Sequence, residues 1–362
     1  ENIMSTLKVD AIRHNSATSD AITTAADGTC TANITNNLSN RNIVDNGEFV
    51  VIQRKEFSSA VTQTGEAFTI DRWKTRMTAN SKFSVQQVVD APAGFYNSAK
   101  ITSLAATTVG ASDYYQFQQG IEGYNINPAN FGTATAKPMV LSFYVKSSLT
   151  GTFSVCFSNY TGNRFLTQNY TISSANTWER KTISVPAITS GTWERAAGAG
   201  LFIYFTLGAG SGTLRSTGSW IDSNFGRAGT GSTNVVATNG ATWQVTGVQL
   251  EINSSGVATD FEHRNIGEEL SRSQRYYYKL PVVSASNSAP PAYVYHSGYK
   301  MAVVWFPTTM RATPTCTFTM STDNSGWNQL NNSTSHFKAY KSAAHDAATS
   351  YYILTFEASA EL

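Results

Sequence analysis

An all-β protein is predicted: a jelly-roll β-sandwich plus a smaller C-terminal β domain, joined by one short helix, with an extended N-terminal arm. Three observations predict it. Short alternations of apolar and polar residues recur along the 362-residue chain, the period of a strand with one buried face. Turn signals punctuate them, notably Asn46-Gly47 and Asn239-Gly240. Helical spacing stands out in one stretch alone, Asn265 to Lys279. Repeated strands without intervening helices argue an antiparallel two-sheet packing.

Residues 1–45 form the arm. Leu7, Val9 and Ile12 are sparse apolar anchors in a polar, small-residue segment. Asp27-Gly28 separates Ala21-Ile22-Thr23-Thr24 from Thr29-Cys30-Thr31-Ala32-Asn33-Ile34, a hairpin-like arrangement. So few core candidates cannot fold alone. Either the arm is disordered or sister chains supply the missing apolar surface, and its strand-like apolar runs favour the second.

Residues 46–264 read as the sandwich. Leu141, Phe143 and Val145 alternate with Ser142, Tyr144 and Lys146, and Phe153, Val155 and Phe157 with Ser154, Cys156 and Ser158. Leu201, Ile203, Phe205 and Leu207 share a face. In the run from Thr242 to Leu250 the apolar parity flips at Gly247, as an inserted bulge residue would make it. Trp73, Trp178 and Trp243 sit in strand patterns and are expected in the core.

Residues 265–281 form the helix. Asn265 followed by Glu268 is a capping-box pattern, and Ile266, Leu270, Ser273 and Tyr277 share a helical face. Acids lead (Glu268, Glu269) and bases trail (Arg272, Arg275, Lys279), as the helix dipole favours, and Pro281 ends it. Residues 282–362 return to strands. Met301, Val303 and Trp305 alternate with Ala302, Val304 and Phe306; Cys316, Phe318 and Met320 share a face; so do Tyr352, Leu354, Phe356 and Ala358. Tyr295-His296-Ser297-Gly298-Tyr299 reads as a hairpin tip bearing aromatics.

Charged residues make up 14% of the chain and its net charge is +2, so nucleic acid is not expected as a partner. No apolar run is long enough for membrane insertion. Cys30, Cys156 and Cys316 lie too far apart in sequence for a metal motif, and His14, His263, His296, His336 and His345 lack ligand spacing. No metal or cofactor is expected. Asp71, Asp113, Glu122, Glu251 and Glu262 are the carboxylates from which a hydrolytic pair would be drawn. A loop-ordering or Arg-pairing role is the reading taken, and no catalytic residue is assigned.

Several segments resemble, as a set, tail-fibre proteins of tailed phages, especially marine and cyanobacterial ones. They are Asn46-Gly47-Glu48-Phe49, Gln53-Arg54, Asp71-Arg72-Trp73, Gln118-Gln119-Gly120-Ile121-Glu122-Gly123, the run from Leu141 to Ser147, and Thr177-Trp178-Glu179. Thr246-Gly247-Val248-Gln249-Leu250-Glu251, Phe261-Glu262-His263-Arg264 and Gln274-Arg275-Tyr276-Tyr277 complete the set. The main domain of those proteins is similar to jelly-roll carbohydrate-binding modules. The resemblance implies a non-enzymatic structural subunit of the virion, a homotrimer whose arm docks onto other virion structural proteins and which adheres to host cell-surface glycan. A head-attached fibre or capsid decoration protein, and a polysaccharide depolymerase tailspike, are the alternatives.

Sugar binding needs flat aromatic faces for the pyranose C–H surface and polar groups for its hydroxyls. Trp193, Trp220 and Phe225 lie in small-residue loops, and Tyr295, Tyr299 and Trp327 near turns of the terminal domain. These six are the candidate glycan or receptor contacts. Leu7, Val9, Ile12, Ile266, Leu270 and Tyr277 are the candidate oligomer contacts.

Overall fold

The structure, a computed structural model, describes residues 9–13, 15–16, 18, 20–26, 28, 30–32, 40–222, 226–280, 291–296, 298–320, 326–342 and 352–362. Two compact units result, Glu1–Arg41 and Asn42–Leu362. In the first, β1 (Ala11–Ile12), β2 (Ile22–Thr24) and β3 (Cys30–Ala32) pair antiparallel in that order. Thr24 faces Cys30 across the expected hairpin, where Gly28 takes φ +85°. Val9 and Ile12 are exposed.

The second unit begins earlier than the sequence suggests. Asn42, Ile43, Val44 and Asp45, expected in the arm, are buried, and the Asn42 amide donates to Glu262 at 2.7 Å. The strands that follow are β4 (Val61–Thr62), β5 (Ala67–Phe68), β6 (Lys74–Met77), β7 (Phe83–Val88), β8 (Ser98–Ser103) and β9 (Tyr114–Glu122). Next come β10 (Met139–Ser147), β11 (Gly151–Ser158), β12 (Phe165–Ile172), β13 (Glu179–Val185) and β14 (Ala199–Ala209). The short β15 (Leu214–Arg215), β16 (Trp220–Ile221) and β17 (Ala228–Gly229) precede the long β18 (Thr242–Ile252).

Among the described residues these strands make two large sheets, of order β13-β10-β18-β8-β7-β4 and β16-β12-β11-β14-β9-β6-β5. The fold is an antiparallel β-sandwich, in agreement with the two-sheet expectation. The expected alternations hold: Leu141, Phe143, Val145, Phe153, Val155, Phe157, Leu201, Ile203, Phe205 and Leu207 are all fully buried. Phe143 of one sheet meets Phe205 of the other edge-on at 5.0 Å, and Trp243 meets Phe205 at 5.3 Å. Such pairs add about 0.5–1.5 kcal/mol each beyond their area. The parity flip at Gly247 is a bulge, since Tyr144 faces Thr246 while Ser142 faces Gln249. Trp73 and Trp243 are fully buried, but Trp178 is half-buried on the surface, its Nε1 donating to Asp90 at 3.3 Å.

The helix, Ile266–Gln274, is shorter than predicted. Its Asn265 cap accepts from the Gly267 amide at 2.8 Å. The tyrosines beyond it leave helical geometry, because Tyr277–Lys279 pairs as β19 with β25 (Ile353–Ser359). Tyr277 therefore does not extend the helical face. The helix also sits inverted relative to simple amphipathicity: Glu269 and Ser273 are buried while Ile266 and Leu270 are exposed. Glu269 accepts from the Asn46 amide and from Arg264, the latter at 3.2 Å, so the inward charge is paired.

The terminal region adds β20 (Tyr293–His296), β21 (Tyr299–Trp305), β22 (Thr315–Met320), β23 (Trp327–Asn332) and β24 (His336–Ser342). Among the described residues they form sheets of order β19-β25-β22 and β20-β21-β24-β23 around a core of their own. Ala302, Val304 and Phe306 face inward. In β25 the expected face holds at Phe356 and Ala358 and fails before them: Ile353 is buried in place of Tyr352 and Leu354, because Thr355 faces Thr319 while Ile353 faces Met320. Leu354 is the extra residue of a bulge.

Candidate functional site

The predicted contacts divide. Trp193 is only 7% exposed, edge-on to Phe131 at 5.0 Å and to Trp220 at 5.4 Å, its Nε1 donating to the Ser190 carbonyl. Half-buried Trp220 pairs with Leu166 and donates Nε1 to the Pro186 carbonyl at 2.8 Å. These rings plug one end of the sandwich, so Trp193 offers no open face for a sugar. Trp327 is a second correction. It is 9% exposed and belongs to the terminal core, since strand parity in β23 turns it inward.

Tyr299 is exposed at the β20–β21 hairpin, with its ring 6.2 Å from that of Tyr340. Tyr295 lies on β20, but its side chain falls outside the described residues, as do Phe225 and Leu7. Among the expected oligomer contacts, Val9, Ile12, Ile266 and Leu270 are exposed. Tyr277 is buried inside its own chain beneath the Arg54 guanidinium, 3.5 Å from its ring centroid.

A cleft that sequence reasoning missed lies on the outer face of the β16-to-β5 sheet, and strand register builds it. Lys74 faces Gln118, and Gln118 faces Tyr204, placing β6, β9 and β14 side chains in one row. In the next row Gly120 faces Phe202, which faces Ser158, which faces Phe165. Gly120 lets the Phe202 ring lie close: a Cβ on it would stand 3.0 Å from that ring, which would have to shift by a few tenths of an ångström. The rings of Phe202 and Tyr204 lie 5.8 Å apart, and the Tyr204 hydroxyl is 2.9 Å from that of Ser158. The segment carrying β15 and β17 lays Arg227 over this floor, its backbone carbonyl accepting from Thr206 and its amide donating to the Thr213 carbonyl at 2.9 Å. The resulting cavity, about 300 Å³, is also bordered by Glu66, Arg76, Asn159 and Tyr160.

Two polar atoms in this cleft are buried without a partner: Oε1 of Gln118, 4% exposed, and Nε of Arg227, 7% exposed. Buried polar atoms are nearly always hydrogen-bonded. An unpaired donor and an unpaired acceptor on two residues of one cavity wall leave hydrogen-bonding capacity there that water or a polar ligand would meet. Arg227 does donate Nη1 to Gln116 at 3.3 Å, and its guanidinium lies 4.4 Å from the Tyr114 ring centroid. Tyr160, at the rim, is 67% exposed.

No model of a known protein family matches this chain, and no curated protein matches it. Among solved structures, a crystal structure of the enzymatically active domain of bacteriophage CBA120 tailspike protein 4 is 15% identical with a TM-score of 0.34. The alignment covers 60% of this chain and 23% of that one, so the chain spans under a quarter of the tailspike domain. A Bacteroides thetaiotaomicron protein named a putative sugar binding protein gives TM-score 0.34 at 14% identity, over 59% of this chain and 100% of that one. A family 11 carbohydrate-binding module from Clostridium thermocellum, in complex with a mixed-linked tetrasaccharide, gives 0.29 at 13%, over 54% and 98%. The functional reading rests on this chain's own residues.

The carboxylates weighed for hydrolysis hold backbone and cations. Asp71 accepts from the Gln53 amide and side chain, and Glu122 from Arg275 and the Tyr276 hydroxyl. Glu251 accepts from the Thr259 amide at 2.8 Å, Glu262 from Asn42, and Asp113 from the Gly110 amide. Burial raises the Cys156 thiol to about 11, so it packs as a neutral side chain. Among the described residues no group of three or more His, Cys, Asp or Glu side chains could hold a metal ion. No described helix is long and apolar enough to cross a membrane.

Proposed function

We propose that this chain is a glycan-adhesion subunit whose β-sandwich holds sugar in the cleft of Gln118, Phe202, Tyr204 and Arg227. The observation that carries this reading is a pair of buried polar atoms without partners, one acceptor and one donor, on two residues that line a cavity floored by aromatic side chains. Gln118 Oε1 would accept a sugar hydroxyl, and Phe202 would cover pyranose C–H surface. Exposed Tyr160 extends the aromatic wall. Sequence resemblance supports placing the subunit in a phage virion as a tail fibre or appendage, with the arm of residues 1–41 docking onto other structural proteins.

A homotrimer is the proposed assembly. The outward Ile266 and Leu270 support it, since a helix that buries its polar face and exposes its apolar one is suited to packing against a neighbouring copy. Three weak sites would then act together, raising apparent affinity by roughly 10²–10⁴. A glycan array tests the binding: Gln118→Leu and Tyr160→Ala should each lose signal, and Trp220→Ala should retain it. Retention by Gln118→Leu together with loss by Trp220→Ala would move the site to the sandwich end. Native mass spectrometry tests the assembly, and a stable monomer refutes it.

A further inference from the structure

We infer that the glycan taken by this cleft is acidic, carrying a carboxylate or sulfate group that seats against Arg227. This rests on the adhesion reading and narrows it to a ligand class. Among the described residues no carboxylate pairs with Arg227, although its side chain is buried and buried arginines are ordinarily paired. The cations around it make the imbalance larger. Lys74 and Arg76 share one carboxylate, Glu66, at 3.6 and 3.1 Å. Among the described residues lining the cavity, the side chains of Lys74, Arg76 and Arg227 thus face one acidic side chain, Glu66, with Leu362 also on the wall.

Both guanidiniums also lie against one ring. Arg76 lies 5.7 Å and Arg227 4.4 Å from the centroid of the Tyr114 ring. Burial first, and then the repulsion of Arg76, pull the Arg227 guanidinium below its ordinary range. A neutral hydroxyl would fill the empty Nε–H without relieving that repulsion. An anionic oxygen does both, and its bond to a guanidinium is about twice as strong as a neutral one. Gln118 Oε1, which offers no proton, then accepts a hydroxyl of the same ring.

Matched probes test this: an oligogalacturonide, its neutral methyl ester, a sulfated galactan oligosaccharide and the unsulfated galactan, each titrated calorimetrically at low salt. The expected result is that an acidic probe binds at least ~10-fold more tightly than its neutral counterpart and weakens as salt rises. Preference for the uronate or for the sulfate ester identifies which anion the site takes. Arg227→Gln should erase the preference with little change in thermal unfolding, because the backbone of residue 227 makes the anchoring bonds. If that variant unfolds, Arg76→Gln, half-buried on a sheet face, should still narrow the preference. Equal binding of acidic and neutral probes overturns the acidic assignment and leaves the adhesion reading intact. Binding of no probe by the parent protein, with none on a broad glycan array, overturns both.

Discussion

The Arg72 guanidinium lies 3.4 Å from the ring centroid of Tyr276, joining the sandwich to the segment that follows its helix. Arg72 is fully buried and donates to Glu361 at 2.6 Å, to the Gly120 carbonyl at 2.7 Å and to Asp45 at 3.3 Å. On the other side of the ring system, the Tyr276 hydroxyl donates to Glu122, which also takes two bonds from Arg275. Arg54 adds a bond to Glu361 at 3.3 Å and covers Tyr277. The joint is therefore a locked seam of buried charges. A flexible hinge would not bury these groups.

Removing one member of such a lattice leaves its partners buried with fewer opposing charges. Arg72→Ala leaves Glu361 with Arg54 alone and Asp45 with Arg272 alone, both carboxylates nearly buried, and is expected to cost up to about 3–5 kcal/mol. Urea denaturation of the variant and parent measures it. A loss under about 1 kcal/mol would mean that water or other cations reach those carboxylates readily.

Gly247 gives a second test. Its φ is +60°, and a Cβ there would stand 2.7 Å from the Phe95 ring. Gly247→Ala should cost about 1–3 kcal/mol through backbone strain and the displaced ring. Gly256, also at positive φ (+72°) but with open space around it, is the control: its Ala variant should cost less. Equal losses at both positions would assign the whole effect to the backbone.

Much of the architecture was legible because the physics that fixes it is local. Period-two alternation gave the buried faces of β10, β11 and β14, and a glycine announced the bulge in β18. The bulge at Leu354 had no such mark, since a leucine accommodates it without positive φ, and the face of β25 before it was misread by one position. Tyr276 to Lys279 continued a helical pattern in sequence, yet tertiary pairing with β25 drew Tyr277–Lys279 into a strand. Of the residues that carry the resemblance, Arg54, Arg72, Glu122, Arg275 and Tyr276 meet in this one seam, while Asn46 and Arg264 meet at Glu269 of the helix. The cleft was not legible, because its floor consists of ordinary outward strand residues, Lys74, Gln118, Phe202 and Tyr204. Only register across β6, β9 and β14 brings them together, and aromatics in loops drew attention elsewhere.

Trp193 separates packing from binding. Its indole meets Phe131 and Trp220 at the closed end of the sandwich, so Trp193→Ala should cost about 3–5 kcal/mol. Glycan-array signal of the folded variant, read well below its melting temperature, should match the parent. Loss of signal without loss of stability would restore Trp193 as a contact residue.

Asp71 predicts a pH dependence with a definite sign. It is fully buried, and burial pushes its carboxyl up to about 6 against the opposing pull of Arg54 and the two bonds from Gln53. In the unfolded chain the group returns to its ordinary value of 3.8. The folded protein thus holds this proton more tightly, so the contribution of Asp71 to stability is complete below about pH 4 and is lost as pH rises through about 6. A shift of roughly two units corresponds to about 3 kcal/mol. Glu48 and Glu269 are also raised by burial, so the difference between variant and parent is the quantity to read. In Asp71→Asn the fall in stability between pH 4 and 7 should shrink by about 1–3 kcal/mol in urea denaturation. An unchanged fall would mean that Asp71 ionises in the folded protein as readily as in the unfolded chain, and that Arg54 outweighs its burial.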